Sequence, residues 1–133
     1  MRDTDREALR RVRSQAILVS CLRERIGGEI KSGLRAIRMD GMPRGSGSCA
    51  GLDARMIRQE EMARALRREE ALLRRREKAA REVMDGMKPE MYAFCAMYYV
   101  GGMSLTETAR AIDRSERQCL RYKREIEGEK GDA

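Results

Sequence analysis

Ser104-Leu105-Thr106-Glu107-Thr108-Ala109-Arg110-Ala111-Ile112-Asp113-Arg114-Ser115-Glu116-Arg117-Gln118 is the stretch on which the reading of this chain turns. Ser104 with Glu107 forms a capping box, in which the serine accepts a bond from the N–H three residues on and the glutamate reaches back. Ser115 with Gln118 repeats it in the Ser/Gln form. Two helix starts only eleven residues apart leave room for one short helix and a tight turn at Asp113-Arg114, which predicts a helix-turn-helix. The first helix directs Leu105, Thr108, Ala109 and Ile112 inward, and small Ala109 suits a close helix crossing. The second, Glu116 to about Glu127, buries Cys119, Tyr122 and Ile126.

Upstream, Gly86 ends a preceding helix and Pro89 suits the first turn of a new one. Met91, Phe94, Cys95, Tyr98 and Tyr99 then recur at helical spacing, until Gly101-Gly102 breaks the run. Nearly all the aromatic residues lie here, so residues 86–127 are expected to form a trihelical core largely independent of the rest.

The N-terminal half has a different character. Leu9, Val12, Ala16, Val19, Leu22, Ile26, Ile30, Leu34 and Ile37 mark a helical stripe over residues 1–40, with a kink or break expected near Gly27. Residues 41–51, rich in Gly and Ser with Pro43, read as a flexible connection, and Arg44 in it as a loop cation that could reach a phosphate. Asp53 is placed to cap a long charged helix over 52–85, striped by Met56, Ala63, Leu66, Leu73, Ala80, Met84 and Met87. Its alternating charges, Arg67-Arg68-Glu69-Glu70 and Arg74-Arg75-Arg76, suit a solvated face. A helix with so narrow a seam needs a partner: the first segment folded back as a hairpin, or a second copy in a coiled coil. A homodimer through the long helices is expected. Residues 128–133 read as a disordered tail.

Composition fits an all-α chain. Charged residues make up 38% and aromatic residues 4%, which suits narrow apolar stripes between helices and not a thick sheet core. A net charge of +7 favours a polyanionic partner, with nucleic acid ahead of an anionic membrane. With no histidine, no Gly-rich phosphate loop and no paired cysteine spacing among Cys21, Cys49, Cys95 and Cys119, neither catalysis nor a metal or other cofactor is expected. Nor is a small-molecule substrate. The absence of a leader or membrane-length apolar run favours the cytoplasm.

On the last helix, the face opposite Cys119, Tyr122 and Ile126 shows Glu116, Arg117, Gln118 and Arg121, the residues expected to meet base edges of double-stranded DNA. Ser104, Arg114, Ser115, Lys123 and Arg124 are expected to hold phosphates. The plainer reading is a solvated basic end.

Tyr99-Val100-Gly101-Gly102-Met103-Ser104-Leu105, Glu107-Thr108-Ala109 and Ser115-Glu116-Arg117 resemble the helix-turn-helix of bacterial sigma factor region four. They are most similar to phage regulators of the ArpU and RinA type, and Met42-Pro43-Arg44-Gly45-Ser46-Gly47 also looks like a stretch of those proteins. The resemblance covers about a third of the chain at the C-terminal end. It implies a phage or prophage regulator of late packaging or lysis genes, working near RNA polymerase. Thr108 departs from the aliphatic residue usual in that family. Two other readings compete: a phage small terminase subunit that recognises a packaging site, and a coiled-coil scaffold that binds no DNA.

Overall fold

The structure is a computed structural model that describes the backbone of residues 1–39 and 47–128 and the side chains of residues 1–31 and 53–128. All its regular elements are helical: α1 (Asp3–Met39), α2 (Gly47–Met84), α3 (Pro89–Cys95), a π-helical turn (Ala96–Val100), α4 (Leu105–Ala111) and α5 (Glu116–Glu127). Among the described residues there is no strand, and no helix is long and apolar enough to cross a membrane.

α1 passes through Gly27-Gly28 without a break, the stronger of the two expected interruptions. Each glycine costs roughly 1 kcal/mol against alanine, but it keeps its N–H and C=O, and extending a helix is cheaper than starting one. The same cooperativity explains why α2 begins at Gly47, which leaves Asp53 inside the helix and not at its cap. The connection expected over 41–51 is therefore shorter at its C-terminal end. Arg44 lies outside the described residues, as does the tail beyond Gly128.

The chain divides into two compact units. One joins Met1–Ile17 to Leu72–Ala133, and the other is Leu18–Ala71. In the second unit the two helical segments run antiparallel, tied by Arg23–Glu70 at 3.5 Å and Arg58–Glu29 at 4.0 Å. Val19 is its one buried hydrophobic residue among those described, and Leu22, Ile26, Met62 and Leu66 are half-buried. Ile30 and Met56, expected in the seams, are exposed.

The first unit holds the main core. Phe94 lies at its centre, stacked on Tyr98 with centroids 5.2 Å apart, edge-on to Tyr99 at 6.1 Å and tilted to Tyr122 at 5.7 Å. These offset and edge geometries suit the ring quadrupoles. Cys95, Ala109, Cys119 and Ile126 belong to the same cluster, but so do Leu9, Val12, Ala80 and Met84. Residues 86–127 therefore do not close a core alone, contrary to expectation. Three short helices leave one side of their aromatic cluster bare, and the start of α1 and the end of α2 cover it.

Polar fasteners hold this cover. Arg13 donates to the carbonyls of Tyr98 and of Met103, the latter at 2.8 Å, and its guanidinium lies 3.8 Å from the Tyr98 ring centroid. A cation there satisfies carbonyls freed where the helix ends and also gains from the ring face. Arg6 donates to the Ile126 carbonyl at 3.0 Å near the end of α5. Gly101 and Gly102 close the π-helical turn. A Cβ at Gly101 would stand 2.7 Å from the Met97 oxygen, and Gly102 has φ +67°, with Ala16 3.3 Å from where its Cβ would be. Burial pushes the Cys95 thiol up to about 12, so it is an uncharged core residue at neutral pH.

Two substitutions test this core. Tyr98→Ala should cost about 3 kcal/mol or more in chemical denaturation, because it leaves a cavity beside Phe94 and removes the ring face beneath the Arg13 guanidinium. Thr108 is fully buried, and its hydroxyl finds no hydrogen-bond partner among the described residues. Thr108→Val keeps the shape and removes the unsatisfied group, so the melting midpoint should rise by an amount equivalent to about 1 kcal/mol. A fall on that substitution would mean that the hydroxyl is satisfied in solution.

Candidate nucleic-acid interface

The candidate site is built on α4, α5 and the turn between them. Ser104 caps α4, its hydroxyl accepting from the Glu107 N–H at 3.2 Å, and Ser115 caps α5 by accepting from the Gln118 N–H at 3.2 Å. Both serines are exposed, and each has the extended backbone of a cap residue. No return bond from the Glu107 or Gln118 side chain accompanies either cap among the described residues.

The turn follows from how α4 ends. Arg114 N–H donates to the Ala109 carbonyl at 2.9 Å and Asp113 N–H to Arg110 at 3.4 Å, the paired bonds of a Schellman ending. That ending needs a left-handed residue, and Asp113 supplies it with φ 55° where glycine is commoner. Aspartate tolerates this region better than most residues. The turn then delivers Ser115 directly to the start of α5.

α5 divides cleanly into two faces. Cys119, Tyr122 and Ile126 are buried, while Glu116, Arg117, Arg121 and Arg124 are exposed. Arg117, Arg121 and Arg124 follow i, i+4, i+7 spacing and form one outward stripe. Among the described residues none of the three has an acidic partner within ion-pair distance. Gln118 and Lys123 are half-buried at the edges of this face, and Lys123 Nζ stands 5.9 Å from the Tyr98 ring centroid. The stripe thus gathers Arg124 with the two arginines read as base contacts and sets Gln118 and Lys123 to the flanks.

Arg114 is engaged differently. Its Nη2 donates to Glu90 Oε1 at 3.1 Å, and Glu90 Oε2 accepts from the Tyr122 hydroxyl at 3.0 Å. The Glu90 carboxylate raises the guanidinium above its already high ordinary range, first through this hydrogen bond and then through its charge. With Pro89, Ala93, Ile112 and Tyr122, this pair lines an open hollow of about 230 Å³. Burial, and after it the Glu116 charge, raises the Cys119 thiol, and no cluster of ligating side chains suited to a metal occurs among the described residues.

Neither Glu90 nor Arg13 stands out in the sequence. Glu90 meets Arg114 and Tyr122 across separations of 24 and 32 residues, and Arg13 meets Tyr98 across 85. No periodicity spans such distances. The one available signal for Glu90 was its place in the first turn of α3, where an acidic residue complements the helix dipole.

Comparison with known protein families, characterised proteins and solved structures found no match to this chain.

The turn geometry yields a direct test. Asp113→Val places a β-branched residue at positive φ and should lower stability by about 1–2 kcal/mol, whereas Asp113→Gly should be neutral or stabilising. Equal losses from both would show that Asp113 acts through its carboxylate and not through its backbone.

Proposed function

We propose that the chain is a sequence-specific double-stranded DNA-binding regulator that uses α4 and α5 as a helix-turn-helix. The observation that carries this reading is the Arg117, Arg121 and Arg124 stripe, exposed and unpaired among the described residues, on the face of α5 opposite its buried side. A recognition helix needs this division. One face must be held rigidly by a core, while the other presents forked donors able to pair bidentately with guanine O6 and N7. The caps leave the first turns of both helices at the surface, where serine hydroxyls and free N–H groups can meet phosphate oxygens. The net charge of +7 supplies the long-range attraction.

The resemblance to sigma factor region four and to ArpU- and RinA-type regulators supports assigning this activity to late phage genes. In that reading the protein acts beside RNA polymerase. The partly covered seam of residues 18–71 supports a second copy of the chain as a further partner, since two helices alone bury only Val19 among its described hydrophobic residues.

Arg117 lies in the first turn of α5 and Arg121 one turn deeper. If either pairs with guanine, its replacement by alanine should cost roughly 1–3 kcal/mol on the cognate duplex and relax preference at one base position. Titration of each variant against cognate and scrambled duplexes at several salt concentrations reads this directly. Unchanged affinity and base preference in both variants would eliminate α5 as the reading element.

A further inference from the structure

The Glu90 carboxylate is held in place by a core residue. Tyr122 is 6% exposed and belongs to the central aromatic cluster, so its hydroxyl is a fixed donor, and it grips Glu90 Oε2 at 3.0 Å. The other oxygen, Oε1, then meets Arg114 at 3.1 Å. Arg114 immediately precedes the α5 cap, within the turn expected to approach phosphates. Its contrast with the α5 stripe is sharp, because Arg117, Arg121 and Arg124 carry no comparable partner among the described residues.

We infer that Glu90 is a positioning residue that holds Arg114 off the nucleic-acid backbone and so restrains phosphate-driven binding. The inference rests on the reading of α5 as a DNA-facing helix. In the ion pair Arg114 has little net charge to offer a polyanion. It can leave cheaply, since both partners are solvent-exposed and such pairs are weak. Glu90 is restrained from following it, because the Tyr122 hydroxyl still holds Oε2. A phosphate taken up by Arg114 therefore sits within a few ångströms of a fixed negative charge, which opposes it. Glu90 thereby subtracts from the sequence-independent part of affinity and leaves base readout untouched.

The test is Glu90→Gln in the full-length protein. The amide retains an oxygen for the Tyr122 hydroxyl, and an unchanged melting midpoint would confirm folding. Cognate and scrambled duplexes should both bind roughly three- to tenfold more tightly at low salt, with the same base preference. The salt slope should steepen by about 0.9, the value for one added phosphate contact. In an Arg114→Ala background the gain should shrink to the smaller one that loss of an exposed carboxylate alone brings. Elution from phosphocellulose gives the same comparison without duplex DNA, and Glu90→Gln should shift elution to higher salt by clearly more when Arg114 is present than in the Arg114→Ala background. A wild-type protein that bound no duplex would sink the DNA reading while the column still judged Glu90. An unchanged slope and elution, a gain undiminished in the Arg114→Ala background, or weaker binding by Glu90→Gln would each overturn the inference.

Discussion

Packing around the Phe94 ring is the constraint on which the first unit depends. The chain has one phenylalanine, four tyrosines and no tryptophan, and three of the tyrosines lie against Phe94. Tyr98 and Tyr99 come from the π-helical turn and Tyr122 from α5. The extra residue that a π-helical turn takes up rotates the helix face, and both tyrosines are buried there, with their rings edge to face at 4.9 Å. So small a set of rings cannot enclose itself, and that is why Leu9, Val12, Ala80 and Met84 belong to the same cluster. The stability of the region from α3 to α5 is thus coupled to Leu9 and Val12, more than eighty positions before Phe94 in sequence.

The same cluster organises the polar surface. Tyr122 faces the core with its ring and holds Glu90 with its hydroxyl, while Arg13 lies against Tyr98 and collects carbonyls at the end of the π-helical turn. Tyr99, its phenol raised by burial and then by the Glu127 charge, donates to Glu127 at 3.3 Å near the end of α5. Each contact joins a buried ring to a charge at the rim. In the function proposed above, the outward arginines depend on this arrangement, because a recognition surface needs rigid support beneath it.

Local chemistry made much of this architecture legible in the sequence alone. Ser104 and Ser115 as caps, Pro89 at a helix start, Gly86 beyond a helix end, and the buried Cys119, Tyr122 and Ile126 all follow from interactions within four residues of one another. So does the outward placement of Arg117 and Arg121, which helical periodicity dictates once the buried face is known. The all-helical class follows from composition for a similar reason, since helix propensity acts residue by residue.

Tertiary structure decided what depends on distant partners. The left-handed Asp113 follows from the way α4 ends, although aspartate alone does not require it. Gly27 and Gly28 suggested a break, but their cost is too small to overcome the cooperative extension of a helix through Met39. Whether residues 86–127 closed their own core depended on how much of Phe94 and its neighbours three short helices could cover. Arg114 looked like any cation beside a helix start until Glu90, on another helix, was found against it. Side-chain period and capping are written into neighbouring residues. Which charge meets which across dozens of positions is settled only when the helices pack, because no local free energy distinguishes one exposed arginine from the next.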